Sequence, residues 1–316
     1  MGKIAFLFPG QGSQAVGMGR QLAENNKEVA KVFAKADEVL HDSLSEVIFE
    51  GPQEKLTLTT NAQPALLTTS FAILTALKEY DITPDFVAGH SLGEYSALVA
   101  AGALTFEDAV YAVRKRGEYM EEAVPGGEGA MAAILGADPD MLKRVTEEVT
   151  SEGYAVQIAN MNSTKQIVIS GTKQGVELAS QRAKENGAKR AIPLKVSGPF
   201  HSSLMKPAAE KFQSVLNEIT IQDTNIPVIA NVTADVITRG TDIQAKLIEQ
   251  LYSPVLWYPS IEYMVNQGVD TFIEIGPGKV LAGLMKSIDS SVKAYAVYDE
   301  ETLKDTISNL RGESGC

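Results

Sequence analysis

The segment Gly89-His90-Ser91-Leu92-Gly93 constrains the fold of this chain more than any other, because it matches the G-x-S-x-G turn that exposes a nucleophilic serine between a strand and a helix. The flanking residues fit that context. Residues 86–88 form a short apolar run, and residues 92–101 are small, apolar and helix-prone. Glycine is needed on both sides of the serine because so sharp a turn leaves no room for Cβ atoms. The segment therefore predicts an α/β fold with Ser91 as a catalytic nucleophile, rather than a serine in an ordinary turn.

Three histidines are available as the base that a neutral serine hydroxyl needs: His41, His90 and His201. His90 adjoins Ser91, and consecutive residues around a sharp turn point in different directions. His41 follows an amphipathic segment and is expected at an exposed helix end. His201 follows an apolar run, residues 191–196, that predicts a strand, so we place it on a loop where catalytic groups usually lie. We predict His201 as the base, with a packed or surface histidine as the alternative.

An oxyanion hole needs backbone N–H donors from two places, the residue after the nucleophile and a loop at the end of another strand. Leu92 is the first. The second is predicted in the glycine-rich turn at residues 9–14, which follows a buried-strand pattern at residues 3–8. Residues 10–15 also fit the dinucleotide-binding pattern G-x-G-x-x-A. That interpretation is disfavoured because the next stretch predicts helix rather than the second strand that such a site needs.

Arg116 is the residue that suggests a substrate. It lies on a helix predicted from residues 106 to 122, which begins with the capping-box pattern of Thr105 and Asp108. Helical periodicity places Arg116 at the edge of the apolar face. A guanidinium that leans toward the core needs an anionic partner. The sequence leaves two partners open, a structural Asp or Glu and a substrate carboxylate held by two hydrogen bonds.

Composition excludes several classes of protein. A formal net charge of −12 argues against nucleic acid and anionic membranes as partners. No apolar run approaches the ~18 residues of a membrane span, and no signal-peptide pattern is present, so we expect a cytoplasmic protein. The single cysteine, Cys316, excludes an intrachain disulfide, and its place in a polar tail argues against a catalytic thiol. No cluster of metal ligands is apparent, so no metal is predicted.

The middle of the chain predicts an inserted domain. Its predicted elements are a strand at 130–135, a helix at 139–148, strands at 154–159 and 166–170, a helix at 174–186 and a strand at 189–196. This is the β-α-β-β-α-β order of a ferredoxin-like unit, and glycine-rich segments border it. We predict a small domain at residues 126–198 inside a large domain formed by residues 1–125 and 199–316. A cleft between two domains is a usual ligand site.

Seven motifs in a fixed order resemble the malonyl-CoA:acyl carrier protein transacylase family over nearly the whole chain. They are residues 8–14 (F-P-G-Q-G-S-Q), 61–65 (N-A-Q-P-A), 89–94 (G-H-S-L-G-E), 116–117 (R-G), 160–162 (N-x-N), 200–201 (F-H) and 274–278 (E-I-G-P-G). The resemblance implies an α/β-hydrolase-like large domain with a parallel-sheet core, a ferredoxin-like small domain, and a role in type II fatty acid synthesis.

The same resemblance implies roles for individual residues. Ser91 accepts the malonyl group, His201 is its base, and a main-chain carbonyl near Gln250 orients that base in place of a triad carboxylate. The backbone N–H groups of Gln11 and Leu92 form the oxyanion hole. The implied substrate-binding residues are Arg116, which clamps the malonyl carboxylate, Gln63, Asn160, Asn162 and Phe200. In related acyltransferases Leu92 and Phe200 accompany a choice of malonyl over methylmalonyl, an effect of only ~1 to 3 kcal/mol for one methyl group.

The implied reaction moves malonyl from malonyl-CoA to the phosphopantetheine thiol of acyl carrier protein through a malonyl-serine ester, with ping-pong kinetics and no cofactor. Acyl carrier proteins are acidic and this chain is acidic too, so a local basic patch must bring them together. Its candidates are Lys189, Arg190 and Lys286. Two rival functions remain open at this point: a serine hydrolase or thioesterase acting on acidic acyl thioesters, and a catalytically idle module that binds carrier protein.

Overall fold

The computed structural model of the protein describes residues 2–312, and Cys316 lies outside these residues. The described strands are β1 (Lys3–Phe8), β2 (Phe86–Gly89), β3 (Gly129–Leu135), β4 (Val156–Ser163), β5 (Gln166–Thr172), β6 (Arg190–Pro193), β7 (Val228–Ile229), β8 (Val236–Ile237), β9 (Val269–Ile275) and β10 (Lys293–Val297). The α-helices of the first half are α1 (Arg20–Asn25), α2 (Lys27–Leu40), α3 (Leu44–Glu50), α4 (Gln53–Thr57), α5 (Thr59–Leu77), α6 (Leu92–Ala100), α7 (Phe106–Glu122) and α8 (Pro139–Ser151). Those of the second half are α9 (Lys173–Glu185), α10 (Lys206–Glu218), α11 (Gly240–Gln250), α12 (Trp257–Asn266), α13 (Val280–Ile288) and α14 (Glu300–Arg311).

The larger sheet contains six strands in the order β10-β9-β1-β2-β7-β8, all parallel except β8, which pairs antiparallel with β7. Its central strands are apolar runs because both faces are covered by helices. In β1, Phe6 and Phe8 pack into a core with α2, α5, α6 and α7, whereas Ala5 and Leu7 pack on the other face against α12 and α13. The predicted parallel-sheet core is confirmed.

Register brings the functional segments of this sheet together. Phe8 at the end of β1 pairs with Gly89 at the end of β2, and β7 lies on the other side of β2. The carboxyl ends of neighbouring parallel strands lie at one edge of a sheet. The turns that carry Gln11, Ser91 and Asn231 therefore meet at that edge.

Residues 129–193 form a separate antiparallel sheet in the order β4-β5-β3-β6. Helices α8 and α9 cover one face, and the other face contributes Met131, Ala133 and Val168 to the main core. The order of elements in this segment is the β-α-β-β-α-β order predicted. Strand β4 also reaches the larger part of the molecule, because its Met161 N–H donates to the Val255 carbonyl.

The last strand of this sheet differs from its prediction, since β6 ends at Pro193 rather than at residue 196. Proline has no N–H for the ladder, and only one more bond, from the Leu194 N–H to the Met131 carbonyl, follows it. Leu194 and Val196 instead lie exposed at the rim of the cavity described below. His201 is therefore not directly at a strand end but on a loop that returns from the antiparallel sheet to the main core.

Candidate active site

The turn between β2 and α6 has the geometry predicted for the G-x-S-x-G segment. A Cβ atom at Gly89 would collide with the backbone of Gly93, and one at Gly93 would collide with the carbonyl of Phe8. Only glycine allows β1, β2 and α6 to approach so closely. Ser91 between them has φ 52° and ψ −107°, a strained conformation for a residue with a side chain. Such strain is typical of functional sites.

His201 contacts the serine. Its Nε2 atom lies 2.7 Å from the Ser91 hydroxyl, and its Nδ1 atom lies 2.8 Å from the main-chain carbonyl oxygen of Gln250. A carbonyl can only accept, so Nδ1 carries the proton and donates to it. In the neutral ring Nε2 is then the acceptor for the serine proton. The arrangement holds the base in the tautomer that activates the nucleophile, with a carbonyl where triads have a carboxylate.

The electrostatics keep this base neutral. Burial, followed by the positive charge of Arg116, lowers the pKa of His201 to about 3. Only 4% of His201 is exposed. The unprotonated imidazole that catalysis needs is therefore present throughout the neutral pH range.

The guanidinium of Arg116 lies beside the same hydroxyl and is only 1% exposed. Its Nη2 atom donates to the Ser91 hydroxyl at 3.0 Å and to the side-chain oxygen of Gln250 at 2.9 Å, and its Nη1 atom donates to Gln63 at 2.9 Å. No carboxylate is among its hydrogen-bond partners in residues 2–312. Its charge is thus neutralised by no contacting acid of the described chain, which favours the second of the two predicted partners, a substrate carboxylate.

A cavity of about 720 Å³ opens over these groups, between the two sheets. It is lined by Ser91, His201 and Arg116, by the side chains of Met120, Met131 and Phe200, and by the exposed rim residues Leu58, Leu194 and Val196. Gln11 and Leu92 line it as well, and neither backbone N–H donates to another group of the described chain. The site thus combines an activated serine, two available N–H donors and a buried cation, which suits attack on the carbonyl of an acidic acyl group.

Comparisons with known proteins agree with this chemistry. The Acyl transferase domain family matches residues 5–305. The malonyl CoA-acyl carrier protein transacylase of Bacillus subtilis (strain 168) is 64% identical over 314 residues, which cover 99% of each chain. The chain belongs to the malonyl CoA-acyl carrier protein transacylase family.

Solved structures of transacylases share the fold. An acyl carrier protein S-malonyltransferase from Vibrio cholerae superposes with a TM-score of 0.94 at 46% identity, covering 96% of this chain and 99% of that one. A malonyl-transacylase in complex with its type II PKS acyl-carrier protein superposes with a TM-score of 0.94 at 44% identity, covering 97% of this chain and 99% of that one. The mixed α/β fold with a parallel core and a separate antiparallel sheet is the fold of this transacylase family.

The other residues that the resemblance to the transacylase family suggested lie in two layers. Asn160 and Phe200 line the cavity. Gln63 lies beneath it, where it accepts from Arg116 and its amide nitrogen is 3.5 Å from the sulfur of Met120. Asn162 contacts the cavity only through His90, since its Oδ1 atom lies 2.8 Å from the His90 Nε2 atom. Gln63 and Asn162 thus contact side chains that line the cavity and do not line it themselves.

The two other histidines, and the segment after the glycine-rich turn, have the surroundings that the sequence predicted. His90 hydrogen-bonds Asn162 rather than Ser91, and its ring packs against Trp257. His41 is an exposed C-cap of α2. After the glycine-rich turn, helices α1 to α5 follow instead of a second strand, and the next strand, β2, ends in the turn at Ser91 and not in an acid. No group of His, Cys, Asp and Glu within residues 2–312 is arranged to hold a metal ion.

The predicted basic residues Lys189, Arg190 and Lys286 are all exposed, and none of them lines the cavity. Lys189 and Arg190 stand at the start of the segment that continues into the rim residues Leu194 and Val196. Lys286 lies in the last turn of α13, which packs against β4, the strand of Asn160. Within the described chain no helix is long and apolar enough to cross a membrane.

Sequence reasoning missed three polar side chains. Asn231 follows β7, and its position at the carboxyl end of a parallel strand is a signal that was available. The amide of Gln250 contacts both Ser91 and Arg116, although only its carbonyl was expected to act. Gln157 on β4 donates to the carbonyls of His201 and Tyr252, both at 3.3 Å, and so ties together the two loops that hold the base.

Proposed function

We propose that Ser91 and His201 transfer a malonyl group from malonyl-CoA to the phosphopantetheine thiol of acyl carrier protein, with Arg116 holding the malonyl carboxylate. Malonyl transfer to acyl carrier protein is the reaction of the family to which the chain belongs, and it supplies fatty acid synthesis. The observation that carries the residue assignment is the buried Arg116 guanidinium 3.0 Å from the Ser91 hydroxyl. A cation at this place fits an acyl group whose far end is anionic.

In the first half-reaction the Ser91 oxygen attacks the thioester carbonyl while His201 Nε2 takes the hydroxyl proton. Negative charge develops on the carbonyl oxygen, where the N–H groups of Gln11 and Leu92 stabilise it. The carbon–sulfur bond then breaks, and His201 returns the proton to the sulfur of CoA. A malonyl-serine ester and free CoA result.

The second half-reaction reverses these steps with a different thiol. The phosphopantetheine thiol of acyl carrier protein enters the cavity and gives its proton to His201. Its sulfur attacks the ester carbonyl, and the Ser91 oxygen leaves with the proton from His201. Every proton and bond in both halves is handled by groups of this chain, so we propose that the enzyme uses no metal and no organic cofactor.

The shape of the cavity supports a short acyl group. Leu92 and Phe200 are 1% and 6% exposed and close the space near the nucleophile, and Met120 and Met131 lie in the same wall. A branch at the α-carbon of the acyl group would need room that these side chains occupy. We assign Asn160 at the cavity wall to the thioester arm, and Gln63 and Asn162 to the support of Arg116 and His90.

We also propose the finer architecture. The larger sheet with the turn at Ser91 supports an α/β-hydrolase-like large domain of residues 1–125 and 199–316. The strand order β4-β5-β3-β6 supports a ferredoxin-like small domain at residues 126–198. The use of CoA and carrier-protein thioesters supports the cytoplasmic location expected from the sequence.

Lys189, Arg190 and Lys286 are proposed as contacts for acyl carrier protein. Their support is exposure and positive charge on an acidic chain. Lys189 and Arg190 lie at the start of β6 and Lys286 lies on the helix beside β4, the two edge strands of the small sheet, so a carrier protein would meet them on either side of the cavity. Its phosphopantetheine arm would pass along Leu194 and Val196 toward Ser91.

Product analysis with and without acyl carrier protein separates this function from the hydrolase, which would use the same serine, base and arginine. The enzyme is incubated with malonyl-CoA alone and with malonyl-CoA plus the phosphopantetheine form of acyl carrier protein, with Ser91→Ala as the blank. We expect malonyl-acyl carrier protein and one equivalent of CoA in the second reaction, and only slow release of malonate in the first. Malonate formed at the same rate in both reactions would contradict the proposal.

A further inference from the structure

A buried carboxylate lies directly beneath the nucleophile and has no part in the steps above. Glu94 is three residues after Ser91 in α6 and is 0% exposed. Its Oε2 atom accepts hydrogen bonds from the side-chain amide of Gln250 at 2.7 Å and from the backbone N–H of Asn231 at 3.1 Å. Both partners come from segments far along the chain, and both touch the catalytic residues.

The two amides hold the strained backbone of Ser91 from opposite sides. The side-chain oxygen of Asn231 accepts from the Ser91 N–H at 2.7 Å, and the Asn231 amide nitrogen donates to the Gly89 carbonyl at 2.7 Å. The Gln250 amide nitrogen donates to the Ser91 carbonyl at 3.1 Å. A residue at φ 52° persists only where its surroundings fix it, and these bonds do so.

Gln250 also reaches the other two catalytic side chains. Its side-chain oxygen accepts from Arg116 at 2.9 Å, and its main-chain oxygen accepts from His201 at 2.8 Å. The amide can meet Arg116 with its oxygen only while its nitrogen has acceptors on the other side. Glu94 is the closer of the two main acceptors there. Its carboxylate, together with the Ser91 carbonyl, therefore fixes which way the Gln250 amide faces.

We propose that Glu94 is a positioning residue that fixes Asn231 and Gln250 and, through them, the geometry of Ser91 and Arg116. Glu94 does not touch the substrate. A catalytic triad has a carboxylate beside its histidine. Here the buried carboxylate is Glu94, and it lies behind the nucleophile Ser91 instead. This inference rests on the proposed function of Ser91 and Arg116.

Two further observations favour positioning over a simple helix-capping role. An acid in the first turn of a helix stabilises the helix by binding its free N–H groups, but both hydrogen bonds of Glu94 go to Asn231 and Gln250, outside α6. Its Oε1 atom has no partner in the described chain, and burial raises the pKa of the carboxyl to about 7. A buried acid that is only partly satisfied destabilises a fold, so its presence here calls for a role in the site.

The first arm of the test compares Glu94→Ala and Glu94→Gln in the full enzyme. The alanine variant removes the acceptor shared by the Gln250 amide and the Asn231 backbone N–H, and we expect kcat/KM for malonyl transfer to fall about 10²-fold, the effect of a nucleophile displaced by about 1 Å. The glutamine variant keeps an acceptor oxygen at the same place and should retain activity within about threefold. Labelling of Ser91 by a fluorophosphonate, which needs the serine and base but no malonyl group, should follow the same order.

Glu274→Ala is the matched control. Glu274 is also a buried carboxylate, 1% exposed, that accepts two N–H groups, but they belong to Leu281 and Ala282 at the start of α13. This variant should lose thermal stability to a similar degree while a folded sample keeps the wild-type rate of fluorophosphonate labelling. A folded Glu94→Ala enzyme with wild-type labelling and transfer rates would overturn the proposal, as would Glu94→Gln no better than Glu94→Ala.

The second arm distinguishes the roles of Asn231 and Gln250 by comparing malonyl transfer with acetyl transfer. Asn231→Ala should slow malonyl and acetyl transfer equally, because Asn231 touches Ser91 but not Arg116. Gln250→Ala keeps the main-chain carbonyl for His201 but frees Arg116, so the malonyl-to-acetyl ratio of kcat/KM should fall about tenfold or more. Equal ratios in the two variants would contradict the proposed division. If the wild type is labelled at Ser91 but transfers no malonyl, the proposed function fails, and the labelling series still tests Glu94.

Discussion

Replacement of Arg116 tests the structural basis of malonyl selectivity most sharply. Arg116→Ala removes the one cation that contacts the Ser91 hydroxyl within residues 2–312. Arg116→Lys keeps the charge but not the planar group, and a compact ammonium cannot hold a carboxylate by two parallel hydrogen bonds as a guanidinium does. The two variants therefore separate positive charge from geometry.

The expected change in the malonyl-to-acetyl ratio of kcat/KM follows from the hydrogen bonds that each substrate loses. A hydrogen bond to a charged group is worth about 1.5–3 kcal/mol, so a carboxylate held by two of them loses about 3–6 kcal/mol, or roughly 10²–10⁴-fold. The contact between Arg116 and the Ser91 hydroxyl is lost for every substrate, so it cancels in a ratio of substrates. The malonyl-to-acetyl ratio of kcat/KM in Arg116→Ala should thus fall by roughly 10²–10⁴-fold. Arg116→Lys should regain about one of the two bonds, roughly 10–10²-fold.

The assay measures kcat/KM for malonyl-CoA and acetyl-CoA in the wild type and both variants. Arg114→Ala is the matched control, since Arg114 lies one half-turn earlier on α7 and contacts Asn61 and Asp42 instead of the site. It should leave the ratio unchanged. Equal losses on both substrates in Arg116→Ala would refute the reasoning, because Arg116 would then support the site without binding the carboxylate.

Three further predictions concern the base, its support and the partner. Burial lowers the pKa of His201 to about 3, so protonation of this base should not reduce activity at neutral pH. The Glu94→Gln enzyme tests this because it lacks the Glu94 carboxyl, whose pKa of about 7 would add a second titration. Its kcat/KM should stay constant from about pH 8 to about pH 5, and a fall near the ordinary histidine value of 6.5 would contradict the prediction. Gln157→Ala should lower kcat about five- to tenfold with little change in KM, measured by steady-state kinetics, because the loops of His201 and Tyr252 lose their shared donor; an unchanged kcat is evidence against that link. Lys189→Glu and Lys286→Glu should raise KM for acyl carrier protein but not for free pantetheine, and the effect should fade with salt over a screening length of ~8 to 10 Å; unchanged carrier-protein kinetics at low salt would place the docking surface elsewhere.

The elements that carry the chemistry could be predicted from the sequence because their patterns are local. The strand at residues 3–8 and the helix at residues 106–122 have the predicted bounds, and the turn at Ser91 has the predicted glycine contacts. His201 could be found by elimination because the chain has three histidines. These inferences needed only periodicity, turn chemistry and the requirement for a base.

Helix α5 shows where local pattern fails. It is buried on nearly all sides, so its apolar residues show no helical period from which its bounds could be predicted. Strand β10 is only partly buried and was missed as well. The predicted end of β6 was wrong because the apolar Leu194 and Val196 line the rim of the cavity instead of continuing the strand. Apolar pattern alone does not say which surface a side chain will meet.

The polar contacts beneath the serine could not be predicted because they join distant segments. The bond between Ser91 and Asn231 spans 140 residues, and that between Ser91 and Gln250 spans 159. The partner of Arg116 stayed open for the same reason, since Gln250 lies 134 residues away. A glutamine or asparagine has no spacing rule that marks it as a partner before the fold is known.

The mass of the protein after brief exposure to malonyl-CoA, without acyl carrier protein, tests the central claim most directly. We predict that the wild type gains the mass of one malonyl group on the peptide that contains Ser91, and that acyl carrier protein then removes it. Ser91→Ala should gain nothing while remaining folded. A malonyl adduct on Ser91→Ala, or a wild type that transfers malonyl without ever carrying it, would contradict the account.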